Sequence, residues 1–101
     1  MKVIWSPLAH ERLAAIELFL AEKNTVAAAH TVEKLIEKGD SLSSMPRRGR
    51  KVPEIGDEDL RELIVGDYRI VYEVNDPAKR VEIITVLHGR QRFPLEEFLD
   101  D

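Results

Sequence analysis

Apolar residues recur at Ala9, Leu13, Ile16 and Leu20, three or four apart, with Glu11, Arg12, Glu17 and Glu22 among the intervening positions. That spacing describes one face of an α-helix. Ser6-Pro7 supplies an N-cap followed by proline at the first helical position, so the helix is predicted from about Pro7 to Lys23. Asn24-Thr25 marks a break and a fresh cap. A second stripe then follows at Ala28, Val32, Leu35, Gly39 and Leu42. Ser43-Ser44-Met45-Pro46 ends it, because a residue before proline avoids helical geometry. Two helices joined by so short a link fold back as an antiparallel hairpin.

The period changes further along. Val3-Ile4-Trp5 is a short β-rich start, and Arg47–Asp59 is polar, holds Gly and Pro, and is predicted as a loop. Leu60–Val65 and Tyr68–Val74 are strand-like around Gly66-Asp67, where glycine suits the first central position of a type II′ turn. Asn75–Lys79 makes another turn. Val81–Leu87 is apolar on both alternations, as a central strand covered on both faces would be. Phe93–Leu99 is predicted as a short helix or an extension. The order β-α-α-β-β-β implies an α+β fold: a helical hairpin packed on a small, mainly antiparallel sheet, in a single domain over residues 1–101. With Gly66-Asp67 as the turn, Val65 faces Tyr68, Ile64 faces Arg69, Leu63 faces Ile70, Glu62 faces Val71 and Arg61 faces Tyr72. Arg69 would then project from the open side of the sheet unless a bulge resets the register.

Composition narrows the function classes. There is no cysteine, which removes disulfides, thiolate metal sites and thiol catalysis, and the three histidines show no ligand spacing. No metal or cofactor is expected. No apolar run approaches the roughly 20 residues of a spanning helix, and a soluble cytoplasmic protein without membrane contact is expected. The formal net charge is −4, although nucleic-acid affinity draws on a surplus of Lys and Arg. Basic residues nevertheless gather in Arg47-Arg48-Gly49-Arg50-Lys51 and in His88-Gly89-Arg90-Gln91-Arg92, and acidic ones in Glu54–Glu62 and the last six residues.

Four stretches taken together resemble a known family: "IWSPLAHERLAAIELFLAE", the Gly-Arg loop "PRRGRKVPE", "LRELIVGDYRIVYEV" and "VEIITVLHGRQR". The chain is similar, from Trp5 to about Arg92, to the RelE/ParE superfamily of bacterial toxins, which includes plasmid stabilisation proteins. The resemblance implies the toxin half of a type II toxin–antitoxin module, neutralised by a cognate antitoxin whose C-terminal segment wraps it. It leaves room for a dimer or a hetero-oligomer with that antitoxin. The superfamily holds two activities. ParE-like members inhibit DNA gyrase and are not themselves nucleases. RelE-like members enter the ribosome and cut messenger RNA without a metal.

For the nuclease branch, the resemblance implies Arg69 as the sheet arginine and His88 as a strand-end proton donor, with Glu54 as a base from the loop. Arg61, Arg90 and Arg92 would hold phosphates or a partner's acids. Metal-free cleavage needs such a base, acid and cations, and Arg69→Ala or His88→Ala would then abolish cleavage with the fold intact. Two departures favour the gyrase branch: Gly89 stands where those nucleases often carry an aromatic residue, and the chain is acidic. An inactive, antitoxin-binding remnant is a third reading. Each residue also has a plainer role. Arg69 would pair across strands with Glu62 or Glu73, and His88 would hydrogen-bond backbone at the sheet end. Tyr68 and Tyr72 would be core aromatics with wet hydroxyls, Trp5 would be core, the Arg47–Lys51 block a solvated loop, and His10 and His30 surface positions. Gly89 would let the backbone turn sharply or approach a partner.

Overall fold

The computed structural model describes residues 1–98. Its elements are β1 (Lys2–Trp5), α1 (Pro7–Ala21), α2 (Thr25–Asp40) running into a 3-10 turn at Ser41–Ser43, β2 (Arg50–Lys51), β3 (Leu60–Val65), β4 (Tyr68–Asn75) and β5 (Arg80–His88). A second 3-10 turn follows at Leu95–Glu97, inside the segment predicted from Phe93 to Leu99; Leu99 itself lies outside the described residues. The fold is α+β, with two helices on one face of a five-stranded mixed sheet of order β1-β5-β4-β3-β2. Strands β5 to β2 are antiparallel in succession, and β1 lies parallel to β5.

Local chemistry sets the boundaries. Ser6 Oγ accepts the Ala9 N–H at 3.0 Å with Pro7 behind it, and Asn24 Oδ1 accepts the Ala27 N–H at 3.0 Å. Glycine in a helix interior costs about 1 kcal/mol, yet Gly39 is required here. A Cβ on it would lie 2.3 Å from the Trp5 ring, whose Nε1–H donates to Asp40 at 2.9 Å. The β3–β4 hairpin pairs residue for residue as the Gly66-Asp67 turn predicts, and Gly66 takes φ +57° while Asp67 keeps a negative φ. Strand β5 is central, as its doubly apolar pattern predicts, but it carries a bulge. Val71 pairs with Thr85 and Tyr72 with Ile83, leaving Ile84 as the extra residue. The Ile84 carbonyl accepts the Ser6 hydroxyl at 2.6 Å, so one serine caps α1 and ties the bulge.

Three expectations are corrected. The span 47–59 is not wholly loop, because Arg50 and Lys51 pair with Glu62 and Arg61 as an edge strand. Two residues are too few to show any periodicity. The side of the sheet bearing Arg69 is not open. A second apolar cluster of Val52, Leu60, Val71, Leu87 and Phe93 covers it, with Ile55, Leu95 and Phe98 packed around. The Tyr72 hydroxyl is not wet, since the ring is fully buried in the helix-side core and its oxygen accepts the Gly49 N–H at 3.0 Å. Burial accordingly raises the Tyr72 pKa. Trp5 packs against that same core, and His10 and His30 are exposed.

Gly49 is pressed against the sheet with no room for a side chain. A Cβ there would stand 2.4 Å from the Glu62 carbonyl oxygen and 2.6 Å from the Tyr72 hydroxyl. Both atoms are held by the sheet and core, so Gly49→Ala is expected to cost about 2 kcal/mol or more. A urea midpoint unchanged from wild type would show that this contact relaxes freely.

Candidate functional site

The register carries Arg69 and Glu62 to the same face of the β3–β4 hairpin, two pairs apart along the strands. Glu62 is fully buried. Arg69 Nε donates to Glu62 Oε1 at 2.6 Å and its Nη2 reaches the same oxygen, while Arg50 Nε and Nη2 both lie 2.7 Å from Oε2. The outer edge of the Arg69 guanidinium is also taken: Nη1 and Nη2 donate to the two oxygens of Glu54 at 3.1 and 2.9 Å. Phe93 lies beneath, with Arg69 Cζ 5.0 Å from the ring centroid. Arg69 is thus in an ion-pair ladder, Arg50–Glu62–Arg69–Glu54, and its plainer cross-strand role is present.

Electrostatics follow this geometry. Hydrogen bonding from Arg69 holds the Glu54 carboxyl below its usual range, and the bond from Glu54 raises the Arg69 pKa against the opposing effect of burial. A carboxylate so stabilised is a weak proton acceptor, and each of the three Arg69 nitrogens is already bonded to a carboxylate.

His88 belongs to the other face. It pairs with Tyr68, whose ring it meets edge-on at 5.5 Å, whereas Arg69 pairs with Leu87. Its Nδ1 accepts the Arg90 N–H at 3.1 Å, the backbone contact anticipated for it. Gly89 keeps an ordinary φ, and its N–H donates to the Asp67 carbonyl at 2.6 Å, closing the sheet end against the hairpin turn. Both faces meet at that end in a cleft of about 430 Å³, lined by Arg50, Tyr68, Arg69, His88 and Arg90 with the Gly66-Asp67 turn.

The remaining cations divide. Arg61 is mostly buried and acts as a clamp, donating to the Glu58 and Gly49 carbonyls at 3.0 and 2.9 Å and to the Glu58 carboxylate at 3.1 Å. Arg47 bridges Asp59 and Asp76, each at 2.8 Å, so its basic block is not simply solvated. Arg92 is exposed and lies 3.2 Å from Glu96. Arg90 is exposed, and its guanidinium makes no ion pair among the described residues. Arg50 and Phe93 were missed as site residues. Arg50 was hidden by the short β2, and Phe93 carries no local signal of folding back over Arg69. Among the described residues no group of three or more acidic, His or Cys side chains could hold a metal.

The ladder makes the fold sensitive to Arg69, contrary to the expectation that Arg69→Ala leaves it intact. Removing one partner of a buried pair costs about 3–5 kcal/mol, and because Glu62 keeps Arg50 the lower figure, about 3 kcal/mol, is expected in urea unfolding. A loss below about 1 kcal/mol would show the pair to be incidental. The lowered Glu54 pKa fixes a pH dependence. Its stabilisation is fully present above the ordinary value of 4.5 and is lost as pH falls through the lower folded value. Glu54→Gln should therefore flatten the thermal midpoint below about pH 4.5; a slope identical to wild type would refute this.

Residues 3–93 match the family described as the ParE toxin of the type II toxin-antitoxin system, parDE. The protein named "Putative toxin Y4kP" of Sinorhizobium fredii (strain NBRC 101917 / NGR234) is 30% identical over 95 residues, spanning 92% of this chain and 93% of that one. Solved structures share the fold. The chromosomal ParDE system from P. aeruginosa superposes with a TM-score of 0.71 at 19% identity, over 87% of this chain and 95% of that one. The isolated E. coli RelE toxin gives 0.63 at 21%, over 96% and 92%. The YoeB/ParE toxin from Agrobacterium tumefaciens gives 0.58 at 23%, over 87% and 98%. This chain belongs to the ParE toxin family of type II toxin–antitoxin systems.

Proposed function

We propose that this toxin acts by inhibiting DNA gyrase and is neutralised by a cognate antitoxin, without cutting RNA. The observation that carries the reading is that all three Arg69 nitrogens are engaged by carboxylates. A cation that stabilises a cleaving phosphodiester must aim donors at the position where charge develops, and here every Arg69 nitrogen faces a carboxylate. The family match to ParE supports the same branch. So does the net charge of −4, which opposes approach to a polyanion such as the ribosome.

One observation favours the nuclease reading. Glu54 and Arg69 are in contact, and Arg69, His88 and Arg90 line one cleft. On that reading Glu54 is the base, His88 the proton donor, and Arg90 the cation left for phosphate, with Arg61 and Arg92 peripheral.

Purified folded protein added to gyrase and relaxed plasmid is expected to abolish supercoiling and trap cleaved plasmid, and the antitoxin should reverse both effects. His88→Ala should inhibit within about threefold of wild type, whereas an acid in catalysis would be worth about 10²–10⁴. Intact gyrase activity together with cleavage of ribosome-bound message, lost in His88→Ala, would overturn the proposal in favour of the nuclease.

A further inference from the structure

The Arg50–Glu62–Arg69–Glu54 ladder is built from two unequal acids. Glu62 is fully buried in β3, and its two oxygens accept from two different arginines. Glu54 sits in the loop after β2, and its side chain is 37% exposed. Among the described residues its carboxylate bonds to no side chain but Arg69. The loop does not depend on that bond alone. Val52 and Ile55 pack in the second apolar cluster, and the Val52 carbonyl accepts the Ile55 and Gly56 N–H groups at 3.1 and 2.8 Å. Side-chain rotation therefore carries Glu54 into water with the loop in place.

What Glu54 covers is a seat for an anion. Nη1 and Nη2 of Arg69 meet its two oxygens in parallel, the fork geometry that a guanidinium also uses for phosphate. With Glu54 turned away the fork stays aimed, because Nε remains on Glu62 and Phe93 still backs the guanidinium. A donor already held in place loses little entropy on binding. Charge favours the exchange as well. The ladder as built is neutral, and without Glu54 it carries one net positive charge.

The space and the remaining donors define the ligand. Arg69 lines the cleft at the Gly66-Asp67 turn, whose volume of about 430 Å³ falls within the range of small-ligand sites. Arg50 lines it too, and its Nη1 has no partner among the described residues. Arg90 is exposed and makes no ion pair among those residues. A neutral His88 whose Nδ1 accepts the Arg90 amide carries its proton on Nε2, which makes it a further donor. Asp67 is the only acid among the described residues of this lining, and exposed Ile64 gives the cleft an apolar lip. Cations gathered round one fork, beside an apolar lip, suit a phosphate ester that carries an organic group.

We propose that Glu54 is an internal stand-in for the phosphate of a nucleotide: it masks an anion site on Arg69, and the phosphate takes its place from the cleft when Glu54 swings out. This stands on the geometry of the ladder and is separate from the gyrase reading, since holding a phosphate requires no proton transfer.

The test is calorimetric titration of the folded toxin with adenosine monophosphate at neutral pH and low salt. Wild type should bind weakly, because the ligand and Glu54 compete for one fork. Glu54→Gln should bind at least about tenfold tighter, the charged competitor being gone. Adenosine, which lacks the phosphate, should bind neither protein detectably. Adding Arg90→Ala to Glu54→Gln should remove most of the gain, and because Arg90 is exposed it should leave the melting curve unchanged. Glu54→Asp draws the carboxylate back from the fork, so its affinity should fall between the two, and it takes over the test where Glu54→Gln does not fold. Unchanged affinity in variants that melt cooperatively overturns the proposal. So does a gain that survives Arg90→Ala, which would place the anion elsewhere, and so does binding of adenosine as tight as that of the monophosphate.

Discussion

Glu62 carries a charge where water cannot reach it, and much of the second face of the sheet is arranged around that fact. Removing a carboxylate from water costs several kcal/mol unless its oxygens are both paired. Arg69 of β4 takes one oxygen and Arg50 of β2 takes the other. To deliver Arg50, the chain must form an edge strand of two residues, and Gly49 just before it must press against the sheet without a side chain. The outer edge of Arg69 then meets Glu54, which anchors the loop after β2, and its face meets Phe93 of the terminal segment. An apolar cluster in the same place can match the ladder in free energy, but it would not hold the loop and terminal segment through oriented bonds. Geometry is what the ladder contributes.

That contribution has a chemical consequence. The resemblance implies a phosphate-facing role for Arg69, and in the structure its nitrogens are bonded to Glu62 and Glu54 instead. Pairing with Glu54 serves both partners, since the arginine gains its outer acceptor and the carboxylate is held ionised. Neither is then poised for proton transfer or transition-state charge, which asks for a pKa near working pH and donors directed at the reacting atoms. His88 approaches the same cleft from the helix side, where its Nδ1 is spent on the Arg90 amide.

The parts legible in the sequence were those that short-range rules control. The Gly66-Asp67 turn determined a six-pair register, because a two-residue hairpin leaves no freedom in pairing. Ser6-Pro7 and Asn24 located the helix starts through side-chain acceptors that act within three residues. What escaped was set by distant partners. The β2 strand exists through Glu62, twelve residues on, and the Ile84 bulge through Ser6, seventy-eight residues back. Arg69 was placed on the correct face, but its cover comes from segments whose apolar residues, Val52, Ile55, Phe93 and Leu95, follow no periodic pattern. Glu54 and Arg69 could be named as a pair of interest, yet their mutual saturation depends on side-chain directions that spacing does not reveal.

The helix α1 shows why periodicity also understated the surface. Its inner stripe was read correctly, and the side between was marked only by Glu11, Arg12, Glu17 and Glu22. Yet Ala15, Leu18 and Phe19 make that side nearly as apolar as the buried one. In a chain that already covers both faces of its sheet, such residues add little to folding, because an exposed phenyl ring buries almost none of its area. Covering them would release that free energy. One set of apolar residues on this helix is committed inward, and a second remains exposed. The Glu62 ladder stabilises the opposite face of the sheet and draws on none of that exposed stripe.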